Sequence, residues 1–316
     1  MMWRATVQPA NGQPARPNAQ FPSYICVKID LGLGRIVWLT SLNCSRMETF
    51  MKNVLLLVHD DAGEEARFQA ALDLTRALSG HLTCFDIVQL PMMVGVDPMM
   101  GVAEAAILDD LRQREATNRA GLEARLRAED VPWNWVDATG NMAPLLKTES
   151  DLADIVVLNT ALVDASEPNM RMVVSEVVMG SGKPIVAVPE AARGLATHGN
   201  ALIAWNGSSE VADTMRAVTP LLAVAKTVSI VTFGQVEGLP AEEAATYLSR
   251  HGIEARIDYR DAPADVSEAL LTLCADRRPS YCVMGAYSHA RIRESLFGGV
   301  TRRMLAESPV PLILGH

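Results

Sequence analysis

Tyr281-Cys-Val-Met-Gly-Ala-Tyr-Ser-His-Ala-Arg-Ile-Arg-Glu-Ser-Leu-Phe-Gly-Gly-Val-Thr-Arg-Arg-Met304 is the stretch on which the reading of this chain turns. A short apolar run, Tyr281 to Met284, stops at Gly285, and a polar, basic loop follows from Ala286 to Glu294. Gly298-Gly299 then opens a helical pattern with apolar Val300, Met304 and Leu305; Pro309 and Pro311 end it, and Val310 to Leu314 is a second apolar strand. The stretch is therefore a strand-loop-helix-strand unit. The first amides of a helix lack intrahelical partners and sit at the positive end of its dipole, so they favour an anion such as phosphate. Ser288 and Thr301 add hydroxyl donors, and Arg291, Arg293, Arg302 and Arg303 add positive charge. The plainer reading is an ordinary turn, with glycines for close packing and arginines for solubility.

The spacing resembles the universal stress protein family. Its nucleotide-binding members carry Gly, two residues, Gly, nine residues, Gly, then Ser or Thr. Here Gly285 and Gly298 match, while Ser288 stands for the second Gly and Gly299 for the hydroxyl residue. Met284 to Glu294 with Phe297 to Arg302 is similar to bacterial proteins with two such repeats in one chain. The resemblance implies a cytoplasmic stress-response protein whose loop binds the phosphates of ATP, with or without Mg2+.

The chain has 316 residues, enough for two domains, and 49% of them are hydrophobic. A formal charge of −9 argues against non-specific binding to nucleic acid, which needs a basic footprint. The five cysteines, Cys26, Cys44, Cys84, Cys274 and Cys282, show no metal-type spacing. Cys84 and Cys282 lie in apolar strand patterns and read as buried thiols in a reducing compartment. No apolar run is long enough for a transmembrane helix, and no signal-peptide pattern stands at the start.

Residues 1–46, rich in Pro, Asn and Gln, read as a poorly ordered extension; Met47 and Met51 are alternative starts. Within it, Ile25 to Leu42 offers one or two short strands with no obvious partner. From Asn53 onward, strands and helices alternate: a strand at Asn53 to His59, a helix at Glu64 to Leu78 with Gly80 as its cap, and a strand at His81 to Val88. Residues 90–102 are Met-rich and broken by Pro and Gly, which predicts a loop, folded over its own core or contacting a protein partner. A long charged helix (Ala103 to Ala128) and strands at Val131 to Val136, Asp154 to Leu158 and Lys183 to Val188 complete a first repeat. Residues 191–199 read as a linker. The second repeat has strands at Ala201 to Trp205, Thr227 to Phe233, Ile253 to Tyr259, Tyr281 to Met284 and Val310 to Leu314. One helix is expected over Glu210 to Ala225, and another opened by Pro240.

The repeats superpose: Asn53 on Asn200, Asp154 on Tyr281, Pro184 on Pro311. The expected fold class is α/β. The resemblance, spanning Met47 to His316, implies two tandem flavodoxin-like (adenine nucleotide alpha hydrolase-like) domains, 47–190 and 200–316. Each would hold a five-stranded parallel sheet, and the two would pack as an intramolecular pseudo-dimer. Apolar edge strands such as Val310 to Leu314 would allow two chains to form a further homodimer.

Ligands of open parallel sheets sit beyond the carboxyl ends of the strands, where strand order reverses. The candidate nucleotide site is therefore Asn206, Gly207, Ser208, Gly285, Ser288, His289, Arg291, Gly298, Gly299, Val300 and Thr301. Family binders have Asp where Asn206 stands, contacting the adenosine; Asn206 equally suits capping of the next helix with Ser208 or Ser209. His289 reads either as an anion contact or as a surface-loop histidine. The first repeat keeps Asp60 but lacks the loop, with Asn159 near the place of Gly285 and Asp164 and Glu167 to repel phosphate. His59 reads as packed rather than catalytic.

No nucleophile-base arrangement and no metal cluster stands out, so no enzyme activity beyond slow incidental ATP hydrolysis is expected. Two other readings remain: a nucleotide-free interaction module of the same fold, and, last, an enzyme acting on adenylyl substrates.

Overall fold

The computed structural model of the chain describes residues 27–30, 36–39, 51–89, 100–160, 170–286 and 299–316. Residues 1–50 and 51–316 form two units. In the first, β1 (Val27–Asp30) and β2 (Ile36–Leu39) pair antiparallel, Val27 opposite Leu39. The two strands for which the sequence offered no partner thus take each other. The rest of the expected extension lies outside the described residues.

In the second unit the chain runs through β3 (Asn53–Val58), α1 (Glu64–Leu78), β4 (His81–Gln89), α2 (Met100–Leu126), β5 (Trp133–Gly140), α3 (Met142–Glu149), β6 (Ile155–Asn159), α4 (Met170–Ser181) and β7 (Ile185–Val188). It continues through β8 (Asn200–Ala204), α5 (Ser209–Ala217), α6 (Thr219–Leu222), β9 (Thr227–Phe233), α7 (Ala241–Arg250), β10 (Ala255–Arg260), α8 (Val266–Arg277), β11 (Tyr281–Gly285), α9 (Gly299–Glu307) and β12 (Leu312–Gly315).

The strands form one ten-stranded sheet, ordered β10-β9-β8-β11-β12-β7-β6-β3-β4-β5. Every neighbouring pair is parallel except β12 with β7, which are antiparallel with Ile313 opposite Val186. The fold class is α/β with a mostly parallel sheet, as expected, but the strands do not separate into two sheets. The expected edge at Val310 to Leu314 is also corrected. β12 is interior, with Leu312, Ile313 and Leu314 fully buried, and the free edges are β5 and β10.

Parallel strands need crossover connections that cover both faces. Side chains alternate across the sheet accordingly. Val54, Leu56, Val58, Leu82 and Cys84 belong to one apolar layer with α1, α2, α5, α6 and α7, whereas Leu55, Leu57, Phe85 and Ile87 belong to the opposite layer with α3, α4, α8 and α9. Each apolar layer runs across the β7–β12 junction.

Three local differences from the sequence reading have plain causes. The helix expected over Glu210 to Ala225 breaks at Val218, because Pro220 has no amide to donate and starts the short α6 instead. The residue that ends α1 in a left-handed conformation is Ser79 (φ 49°), not Gly80. Gly80 is needed because a Cβ there would lie 2.4 Å from the Lys52 carbonyl oxygen. Met100 to Val102, read as loop, already belong to α2.

Candidate functional site

Strand order reverses at two places, between β8 and β11 and between β3 and β6, because each central strand sends its crossovers to opposite sides. β8 and β11 are paired, Ala204 opposite Met284, so the turn at Asn206 and the exit at Gly285 lie at the same end of the sheet. α9 returns from β11 to the parallel β12, so its N-terminus also lies at that end. This brings Asn206, Gly207, Ser208, Gly285, Gly299, Val300 and Thr301 to one end of the sheet. Ser288, His289, Arg291 and Gly298 lie outside the described residues.

The residues of this crevice carry structural duties. Asn206 is exposed, and its carboxamide oxygen accepts from the Ser208 amide at 3.2 Å. Ser208 caps α5, its hydroxyl accepting from the Val211 amide at 3.4 Å. Gly207 has φ +77°, and a Cβ there would meet Val236 Cγ1 at 2.2 Å. The Leu239 amide donates to the Gly207 carbonyl at 2.9 Å, and the Trp205 indole donates to the Leu239 carbonyl at 2.8 Å. The 234–240 segment is thereby fastened beside the end of β8. Gly285 admits the start of α5: a Cβ would come 2.6 Å from the Val211 nitrogen.

At α9, Gly299 is exposed, and among the described residues a Cβ on it would meet nothing within 4 Å. Val300 is half-buried. Thr301 is buried with Met304 and Leu305. Arg303 is withdrawn from the anion role given to it. It pairs with Asp265 at 2.9 Å, with Glu268, and with Glu307 at 3.3 Å. Arg302 remains exposed.

The β3/β6 crevice is filled from within. The Arg67 side chain, 0% exposed, donates to the Leu57 carbonyl at 2.9 Å and the His59 carbonyl at 2.8 Å, and pairs with Asp61 at 2.7 Å. Asp61 also accepts from the Gly63 amide at 2.6 Å. The acid that matters in the first repeat is thus Asp61 and not the exposed Asp60. Asn159, the last residue of β6, is buried near Gly63. Asp164 and Glu167 lie outside the described residues.

Beside this crevice lies a buried polar seam that the sequence reading missed. His59 follows β3, Asp86 sits on β4 and Glu115 on α2; they are 7%, 4% and 6% exposed. His59 Nδ1 lies 3.1 Å from Glu115 Oε1. Burial, then the neighbouring Glu115 and Asp137, push the Asp86 carboxyl up to about 7, against the pull of His59 and Arg119. Burial likewise pushes Glu64 up to about 7, although Asn118 donates to it at 2.6 Å and Arg67 is near. The signals were in the sequence. Asp86 interrupts the inward set Leu82, Cys84, and Glu115 shares a helical face with Leu122 and Leu126.

Among the described residues there is no group of His, Cys, Asp and Glu suited to a metal ion, and no helix long and apolar enough to cross a membrane. Cys84, Cys274 and Cys282 are free, buried thiols, as read for Cys84 and Cys282.

The fold is shared with solved structures. A universal stress protein from Archaeoglobus fulgidus DSM 4304 aligns with a TM-score of 0.64 at 13% identity, over 84% of this chain and 97% of that one. A functionally unknown protein from Pseudomonas aeruginosa PAO1 aligns with a TM-score of 0.53 at 13% identity, over 85% and 93%. A candidate universal stress protein from Pseudomonas aeruginosa UCBPP-PA14 aligns with a TM-score of 0.52 at 14% identity, over 85% and 95%. No protein-family model and no curated protein matches the sequence. At these identities the likeness is one of fold.

Proposed function

We propose that this chain is a universal stress protein of two tandem domains that binds ATP or a related adenine nucleotide at the β8/β11 crevice, one per chain. The carrying observation is the convergence at one end of the sheet of the exposed Asn206 turn, the β11 exit and the N-terminus of α9. A helix N-terminus at a strand-order reversal suits a phosphate. The loop residues Ser288, His289, Arg291 and Gly298 complete the proposed contacts, with Mg2+ accompanying the nucleotide. The other crevice, filled by Arg67, would be a structural partner. No catalysis beyond slow hydrolysis is proposed, and the cytoplasm is the proposed compartment.

A second reading has specific support: Asn206 and Ser208 serve their own turn, Gly285 serves helix packing, and Arg303 is held by three carboxylates. On that reading the protein is a nucleotide-free interaction module, whose Met-rich segment 90–102 contacts a protein partner, or whose chains pair as a homodimer.

The test is to denature the purified full chain, identify released nucleotide by mass spectrometry, and titrate ATP into ligand-free protein by calorimetry. One adenine nucleotide per chain, lost in Gly298→Glu with the far-UV spectrum unchanged, is the expected result. Absence of both bound nucleotide and binding heat decides for the interaction module, and unchanged affinity in Gly298→Glu removes this crevice as the site.

A further inference from the structure

We propose that the seam between α2 and the β3–β4 strands is a proton-operated latch, in which Asp86 takes up a proton while α2 is docked and releases it when α2 lifts. Three polar side chains meet there with almost no access to water: His59, Asp86 and Glu115. Two carboxylates are set against one imidazole. Glu115 Oε1 faces His59, but Glu115 Oε2 and Asp86 Oδ1 are buried with no hydrogen-bond partner among the described residues. Such acceptors are costly to bury when charged, and two of them in one seam repel each other.

The surrounding charges offset this only in part, His59 and Arg119 pulling against burial and the neighbouring acids. Asp137 on β5 stands opposite Asp86 in the strand register and adds a further negative charge. Arg119 of α2 is turned to Asp137 at 2.6 Å and Glu123 at 2.7 Å, on the exposed side of the helix. Arg67 of α1 is committed to Asp61, and Glu64 on the same helix is itself acidic and half-buried. Cys84, the next inward residue of β4, is pushed up to about 12 and stays a neutral thiol. A proton on Asp86 quiets the seam without moving α2, and burial with the neighbouring acids holds that carboxyl near 7.

The sign follows from linkage. Below the usual aspartate range, docked and lifted states both hold the proton. Between that range and about 7, the lifted state has released it and the docked state has not, so each pH unit weakens docking by up to tenfold. Above about 7 both states are ionised and the effect is constant. A lifted α2 uncovers Leu122, Leu126 and the sheet face beneath them, so alkalinisation through neutral pH would expose an apolar surface.

The other half of the sheet supplies a built-in reference. Counting from the paired residues Asn53 with His81 and Asn200 with Thr227, Thr232 takes the place of Asp86; it is buried and cannot titrate. The experiment is hydrogen exchange of the full chain from pH 4.5 to 8.5, read as protection factors for the α2 amides 113–126 and the α7 amides 241–250. The expected result is α2 protection that falls up to tenfold per unit and levels off above pH 7, while α7 protection stays level. Asp86→Asn should flatten most of the α2 profile, and Glu64→Gln, which removes a second carboxyl raised to about 7 and held by Asn118 of α2, should lower the slope only in part. An unchanged slope in Asp86→Asn, or a slope abolished by Glu64→Gln alone, overturns the proposal. If Asp86→Asn does not fold, carbon-13 carboxyl titration of Asp86 in the wild-type chain decides. A midpoint near neutrality supports the latch, and one in the ordinary aspartate range refutes it.

Discussion

Replacing Arg67 with Leu should be among the most damaging single changes in this protein. Its guanidinium is fully buried and makes three contacts: the Asp61 carboxylate at 2.7 Å and the carbonyls of Leu57 and His59 at 2.9 and 2.8 Å. Leu fills part of the volume but leaves Asp61 as a buried carboxylate whose remaining donor is the Gly63 amide. Breaking a buried pair by removing one partner costs about 3–5 kcal/mol, and the two carbonyls that lose charged donors bring the expected loss to about 5 kcal/mol. Against a total stability of about 5–15 kcal/mol this is a large share. Urea denaturation at neutral pH, followed by circular dichroism, measures it. The double variant Asp61→Asn, Arg67→Leu should recover at least half of the loss, because an apolar or neutral replacement of both partners is far better tolerated. A loss below about 1 kcal/mol, or a double variant no better than Arg67→Leu alone, would refute the argument that the pair acts as a buried unit.

Other consequences are as direct. Glu64 is raised to about 7, so the fold loses stability as pH climbs from the usual glutamate range towards 7; Glu64→Gln should be the more stable protein at pH 8 by about 1–2 kcal/mol, allowing for its partial exposure, as read from denaturation midpoints across pH. Gly207→Ala must hold a positive φ and push back Val236, and should cost about 2–4 kcal/mol with loss of any nucleotide affinity, measured by thermal unfolding with and without ATP. Gly285→Ala would drive α5 away from β11; a loss of about 2–3 kcal/mol in thermal unfolding is expected, and a neutral outcome would show that α5 can shift freely.

Much of the fold was legible because its signals are local. α1 at Glu64–Leu78 and β9 at Thr227–Phe233 agree with the sequence reading to the residue, for apolar spacing and flanking polar residues mark both ends. Asp265 caps α8 by accepting from the Ser267 and Glu268 amides, a local signal of the same kind. What was not legible is set by distant partners. β5 runs on through Asp137 to Gly140 because the second half of β4 is there to pair with it, not because Asp-Ala-Thr-Gly favours a strand. The antiparallel union of β7 and β12 joins residues far apart in the chain and leaves no mark on either strand's composition. That Asn206 and Gly285 lie at one end of the sheet was legible from the strand order alone. The chemistry of the candidate site was less so. Whether Arg303 is committed elsewhere depends on the acids at the start of α8, and no motif encodes that.

The β7–β12 union also has a consequence for behaviour in dilute solution. Two half-sheets on separate polypeptides would associate in proportion to their concentration and fall apart when scarce. Here both strands belong to one polypeptide, so their meeting is unimolecular and its equilibrium is untouched by dilution. A cell holding very few copies would still hold every one of them with its sheet joined. The two flanks of that sheet would be inherited, expressed and degraded together, so one could lose a role while the other kept it.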